Sequence, residues 1–226
     1  MKNWLSFSLL SFVIFMSCED AQEPSLDRVG LNYYPLEVGN SWVYDVLEVN
    51  ITLLNQDTLL YDLRETVVDS FTNQSGEPTF ILQREKDFRD GGGFQQDSIW
   101  SVRKTENSVV VNENNIGLLK LVFPLVDGAE WDGNSFNGGN NRDFSLNFIS
   151  TDTTVQTNTF SEVIRLVLDD IPNNLTGIDQ KYEFYAPDVG LISKDYTTLE
   201  YCTRDCTGEF VVEGGRVLKQ SLISYE

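Results

Sequence analysis

Apolar positions along this chain follow two rhythms. From Trp4 to Met16 they run almost unbroken, interrupted only by Ser6, Ser8 and Ser11. From residue 33 onward they come in short bursts bounded by Asn, Asp and Gly, which are strong turn formers. Within the bursts, apolar and polar residues often alternate. Phe144, Leu146 and Phe148 stand against Ser145 and Asn147, and Ile164, Leu166 and Leu168 share one face of their run. A period of two places such residues on one side of a pleated strand. No run past the leader repeats at i, i+3, i+4 and i+7, the helical pattern. The bursts predict strands over 41–54, 58–69, 79–88, 94–104, 108–111, 117–123, 143–150, 153–159, 162–168, 181–186, 191–201, 210–212 and 216–225. Gly91-Gly92-Gly93 and Glu213-Gly214-Gly215 read as hairpin tips, and 132–143, rich in Asn and Gly, as the longest loop. Only three alanines occur, Ala21, Ala129 and Ala186, so the composition opposes helix as well. The predicted fold class is all-β: one antiparallel domain over 33–226, its sheet curled into an open barrel-like or sandwich arrangement.

Two segments echo each other. Tyr34-Pro35-Leu36, Gly39 and Trp42 have the same spacing as Phe123-Pro124-Leu125, Gly128 and Trp131. Proline suits a strand end, glycine a turn, and the tryptophan packs back over the aromatic. The pair reads either as a repeated corner device sealing the core or as two aromatic walls of a ligand groove.

The leader changes the picture of where the domain resides. Its apolar run, preceded by Lys2, is shorter than the roughly 20 residues a membrane-spanning helix needs, and suits a secretory signal peptide over 1–17. The run ends at Ser17-Cys18, which resembles the lipobox of bacterial lipoproteins, cut just before a diacylated cysteine. Phe15 and Met16 stand where the commonest lipobox has Leu and a small residue. An ordinary signal peptide with Cys18 merely near the cut is the plainer alternative. Two or more acyl chains hold a protein stably at a bilayer, so an acylated Cys18 implies a membrane anchor. Residues 18–32, with Glu19, Asp20, Glu23, Pro24 and Asp27, then form an acidic tether. Acidic residues directly after the cysteine resemble the surface-export signals of Bacteroidota lipoproteins, and equally suit a plain solvated linker. The stretch from Tyr34 to Tyr44, with Pro35-Leu36, Val38-Gly39-Asn40 and Trp42, resembles uncharacterised Bacteroidota-type lipoproteins. So do 123–134 and Tyr185-Ala186-Pro187-Asp188-Val189-Gly190-Leu191. That resemblance implies a β fold on the outer membrane, on its periplasmic or cell-surface side, and brings no catalytic residue.

Charge and residue types narrow the chemistry. The formal charge is −19, and −20 once Lys2 leaves with the leader; no basic run argues for nucleic acid. Cys202 and Cys206, three residues apart in an exported chain, suit a disulfide across a hairpin mouth. The chain has no histidine, which excludes Ser-His-Asp and Cys-His catalysis and most zinc sites. Carboxylate pairs such as Asp62 with Glu65, or Glu85 with Asp87, leave a glycan hydrolase as an alternative. Asp132, Asn134, Asn137, Asn140 and Asp143 offer calcium-type oxygens, yet Phe136 and Asn137 break the EF-hand spacing. The expectation is therefore no metal, no cofactor and no catalytic residue. The expected role is a non-catalytic binding domain for a lipid, glycan or envelope protein, with Trp42, Trp100 and Trp131 as the candidate surface. A structural subunit of an envelope assembly is the other alternative. Mass spectrometry of the mature chain from cells is expected to find Cys18 first and a mass exceeding that of the amino acids. A mass equal to bare polypeptide contradicts the anchor.

Overall fold

The computed structural model describes residues 29–204, 206 and 210–226. The leader, Cys18 and residues 19–28 of the tether lie outside them. The last tether residues, 29–32, are instead seated in the fold: Val29 and Leu31 pack against the core.

Among the described residues, fourteen strands follow a single 3-10 turn, Leu31–Tyr33. They are β1 (Ser41–Ile51), β2 (Gln56–Thr72), β3 (Pro78–Asp87), β4 (Gln95–Lys104), β5 (Ser108–Glu113), β6 (Ile116–Val122) and β7 (Glu130–Asp132). Then come β8 (Asp143–Phe148), β9 (Thr153–Val155), β10 (Asn158–Phe160), β11 (Ile164–Ile171), β12 (Gly177–Ala186), β13 (Gly190–Tyr201) and β14 (Val212–Tyr225). Twelve strands form one antiparallel sheet in the order β6-β5-β4-β3-β2-β1-β14-β13-β12-β11-β8-β7, and β9 pairs with β10 alone. The expected all-β, antiparallel, barrel-like class is what the structure has.

The sheet curls until its two outer strands nearly meet. The Leu119 amide of β6 donates to the Gly133 carbonyl just after β7 at 2.9 Å. The Trp131 indole of β7 donates to the Leu119 carbonyl at 2.8 Å, and Asn137 Nδ2 reaches the Gly117 carbonyl at 3.0 Å. These bonds occupy backbone groups that an edge strand otherwise leaves unpaired. Alternation then sorts the side chains. Tyr61, Leu63, Glu65 and Val67 of β2 point inward with Tyr44 and Val46 of β1, while Leu60, Asp62 and Arg64 point out.

Three readings from sequence need correction. The run 153–159 is a hairpin of two strands, because Gln156 adopts φ 53° and reverses the chain. Glu213-Gly214-Gly215 is not a tip: it lies inside β14, paired with β13 and, at Gly215, with Ile51 of β1. A Cβ at Gly215 would stand 2.2 Å from the Thr198 carbonyl oxygen, so the glycine there permits close strand approach rather than a turn. Strand β7, only three residues long, was not foreseen.

The two echoing segments are corners. Gly39 and Gly128 have φ of 109° and 75°, and their amides donate to the Val67 and Leu146 carbonyls, each at 2.8 Å. The Trp42 indole donates to the Val189 carbonyl at 2.7 Å, as Trp131 does to Leu119. Each corner thus pins itself to a neighbouring strand and hangs its tryptophan on a distant carbonyl. The first corner and the 3-10 turn also stop one mouth of the barrel. Lys104 Nζ donates to the Tyr34 carbonyl at 2.8 Å, the Asp188 amide to Asn32 and the Leu125 amide to Val29.

The seam generates a prediction. A Cβ at Gly133 would lie 2.4 Å from the ring of Phe144, which is wholly buried. Gly133→Ala is expected to cost about 1–3 kcal/mol in urea unfolding, the range for overpacking a filled core. An unchanged midpoint contradicts a closed seam at this position.

Candidate functional site

Inward positions of six strands place a polar cluster in the otherwise apolar interior. Glu183 (β12) is wholly buried, Lys120 (β6) 2% exposed and Lys194 (β13) 7% exposed. Lys120 Nζ donates to Glu183 Oε1 at 2.8 Å and lies 2.9 Å from Glu113 Oε1 of β5. Tyr185 donates its hydroxyl to Glu183 Oε2 at 2.6 Å, and Tyr196 donates to Oε1. Lys194 Nζ completes the set, 3.3 Å from the same Oε1. On the facing strands Arg84 donates to Glu65 at 2.8 Å and stacks on Trp100, its guanidinium carbon 3.7 Å from the ring centroid.

Burial alone would push the Glu183 carboxyl up. The Lys120 and Lys194 charges and its hydrogen bonds override it and hold the group far below the usual carboxylate range. Glu113, desolvated likewise, is lowered by the same two lysines. Burial disfavours the Lys120 ammonium, but Glu113 and Glu183 push its pKa up to about 12. Burial, followed by the neighbouring carboxylates, raises the Tyr34, Tyr185 and Tyr196 hydroxyls well above their ordinary value. These shifts keep Glu113, Glu183 and Lys120 charged and the three phenols neutral near pH 7.

Above the cluster, under the corner that stops the barrel mouth, is a cavity of about 40 Å³. Tyr34, Pro35 and Leu36 roof it; Trp42, Trp100 and Lys194 are among its walls. The structure therefore brings two of the three candidate tryptophans together, both buried: Trp42 is 7% exposed and Trp100 8%. Trp131 stands apart, on the β6–β7 seam. Cys202 and Cys206 form the disulfide at the β13–β14 tip, their Cα atoms 6.1 Å apart. Three of the four proposed carboxylates are taken up by arginines: Asp62 meets Arg89, Glu65 meets Arg84 and Glu85 meets Arg64, while Asp87 accepts the Arg89 backbone amide. In the 132–143 loop, Asp132 Oδ1 accepts the amides of Asn134 and Arg142, and Asn134 Nδ2 donates to the Asn140 carbonyl. Those oxygen-bearing side chains organise the loop itself.

Lys120, Glu183, Lys194 and Glu113 were not singled out from sequence. A signal existed: Lys120 interrupts the apolar run Leu118-Leu119-Lys120-Leu121-Val122, and Glu183 sits between Tyr182 and Phe184.

The cluster sets a pH dependence. A carboxylate with a depressed folded-state pKa stabilises fully above its unfolded value and loses that contribution as pH falls toward the folded one. Glu183→Gln is expected to cost roughly 3–5 kcal/mol at pH 7, the range for breaking a buried pair. The gap between variant and parent is expected to narrow as pH drops below 4.5, the ordinary glutamate value. Urea titrations from pH 7 to pH 3 check this; a gap that stays constant contradicts it.

No family model matches the chain, and no curated protein matches it. Among solved structures it is similar to a Bacteroides fragilis protein described as exported and of YmcC-like fold. The two share 12% identity over 85% of this chain and 98% of that one, with a TM-score of 0.46. It is also similar to a Parabacteroides distasonis protein described as a lipoprotein, at 12% identity over 86% and 98% of the two chains, with a TM-score of 0.43.

Proposed function

We propose that this chain is a lipid-anchored protein of the bacterial outer membrane, held by an acylated Cys18. Its barrel binds an envelope protein through its outer wall and does no catalysis. The leader and the Ser17-Cys18 junction support the anchor. The observation that carries the binding reading is the outward face of the strands beyond the stopped mouth. Register places Leu60 of β2, Leu47, Val49 and Ile51 of β1, Val217 of β14 and Leu199 of β13 side by side there. Hairpin β9–β10 lies over the other half of this wall: Gln156 reaches Asp45 at 3.3 Å and Asn158 the Ile223 carbonyl at 3.5 Å. Contiguous apolar side chains facing outward are a mark of interaction surfaces.

The interior favours this over a lipid or glycan held inside. Ligand pockets for such molecules run about 300–1,000 Å³, against about 40 Å³ here. A glycosidase needs a carboxyl group that keeps its proton near neutral pH. Glu113 and Glu183 are both held below the usual range.

A photo-crosslinking residue in place of Leu47 in intact envelopes is expected to trap one fixed protein neighbour. Adding Val49→Asp and Val217→Asp, a cross-strand pair, is expected to abolish that product while the purified barrel keeps its near-UV spectrum. Crosslinks to lipid alone, or a product indifferent to both aspartates, contradict the reading.

A further inference from the structure

The turns at one end of the barrel carry apolar side chains that the fold leaves uncovered. Register sends three neighbouring connections out of that end. Ile51 of β1 stands opposite Gly215 of β14, Tyr201 of β13 opposite Val212, and Ile171 of β11 opposite Asp179 of β12. The stopped mouth is the other end, where the Ser41 amide donates to the Glu226 carbonyl. Leu54 in the β1–β2 turn is 97% exposed and its neighbour Leu53 75%, while Leu175 in the β11–β12 turn is 81% exposed. Phe210 and Val211, partly exposed, precede β14 between these two turns. Both leucine-bearing turns are free of charge in a chain where 23% of residues carry one: Ile51-Thr52-Leu53-Leu54-Asn55-Gln56 and Ile171-Pro172-Asn173-Asn174-Leu175-Thr176. Their polar groups are folded back. The Thr52 amide donates to the Asn55 carbonyl at 2.8 Å, and Asn55 Nδ2 to Asp57 Oδ1 at 2.7 Å. Asn174 Oδ1 accepts the Thr176 amide at 2.8 Å and the Thr176 hydroxyl at 2.7 Å. Paired polar groups enter an apolar medium far more readily than unpaired ones. What these turns present outward is leucine.

Shape and charge identify the medium. Leucines that stand clear on separate turns need a pocket apiece in a rigid partner, whereas the interface of a bilayer takes them all at once. Neither turn has a Lys or Arg, on a chain of charge −19, so anionic headgroups find nothing to hold there. Reach decides which bilayer. The tether joins the barrel at its stopped mouth, where the Val29 carbonyl accepts the Leu125 amide. The eleven residues 18–28 extend at most about 36–40 Å drawn straight. Strand β1, also eleven residues, runs about 36 Å before its turn begins. The bilayer that holds Cys18 therefore meets the turns only with the tether drawn taut along the barrel. We propose that the Leu53-Leu54 and Leu175 turns insert into the interface of a second lipid surface, of net-uncharged headgroups, facing the one that holds Cys18. The first bilayer rests on the anchored reading given above; insertion by the turns does not. Many anchored copies act together, so weak insertion by each suffices.

The test places the mature, acylated chain in vesicles carrying one fluorophore and mixes them with protein-free phosphatidylcholine vesicles carrying another. Energy transfer between the two labels reads docking, and is expected to rise. Leu54→Asp is expected to weaken docking roughly tenfold, the order for burying one leucine. Leu54→Asp with Leu175→Asp is expected to abolish it while the near-UV spectrum of the barrel is kept. Flotation of the full mature chain bearing Cys18→Ser with the same phosphatidylcholine vesicles reads the turns without the anchor. It is expected to be weak, and lost in the double aspartate variant. Neither flotation nor docking overturns the insertion, whatever becomes of the anchor. Flotation without docking means that the turns meet the bilayer already holding the chain, and overturns the second surface. Docking only to vesicles that contain phosphatidylglycerol overturns the uncharged assignment. Protein-bearing vesicles that gather with one another and not with plain ones mean that a second copy takes the turns, and overturn the proposal as well. The unaltered chain decides each of these even where a variant fails to fold.

Discussion

One ammonium group crosses the middle of this barrel. Lys120 comes from β6, at one end of the strand order, and grips Glu183 on β12, the ninth strand of the same sheet. It also holds Glu113 on the neighbouring β5. In water such contacts contribute little; in an interior that excludes water they fix geometry, because a misplaced charge there has no other partner. Glu183 in turn gathers Tyr185, Tyr196 and Lys194. The curvature that brings β6 to β7 and the cross-barrel contact are two aspects of one constraint. A flatter sheet would leave both edges unpaired and the charges unmatched.

That constraint also shapes the cavity. The corner from Tyr34 to Trp42 closes the mouth because the strands beneath it are already drawn together. What remains between roof and cluster is a small space rather than a wide ligand chamber. The interior offers a small polar niche, and the outward face of β1, β2, β13 and β14 offers area.

Much of the architecture was legible before the coordinates. Alternation in β8 and β11, turn residues between bursts and the lack of helical spacing gave strands close to their observed bounds. The Pro/Gly/Trp spacing marked both corners, and three residues between Cys202 and Cys206 marked the hairpin tip. The failures have physical causes. A glycine pair is the same letters whether it turns a chain or lets two strands approach closely, so Gly214-Gly215 misled. Strand β7 draws its pairing from β8 and the seam, not from three residues of its own. The polar cluster was hidden for a deeper reason. Lys120, Glu65 and the cross-strand pair Glu183–Lys194 are far apart in sequence, and only register places them on one inward face. Periodicity gives the face of each strand; it does not say which strands look at each other across a closed interior. Trp42 and Trp131 show the same limit: identical local spacing, one in the cavity wall and one on the seam.

The cross-barrel contact is tested most directly by a double-mutant cycle in urea on Lys120→Met and Glu183→Leu. If the two side chains hold the closed sheet together, each single change strands a buried charge. The double change then leaves an apolar pair and costs less than the sum by roughly 1–3 kcal/mol, the scale of coupling between contacting residues. Costs that add to within about 0.5 kcal/mol would mean that the two groups act independently, and would contradict the account.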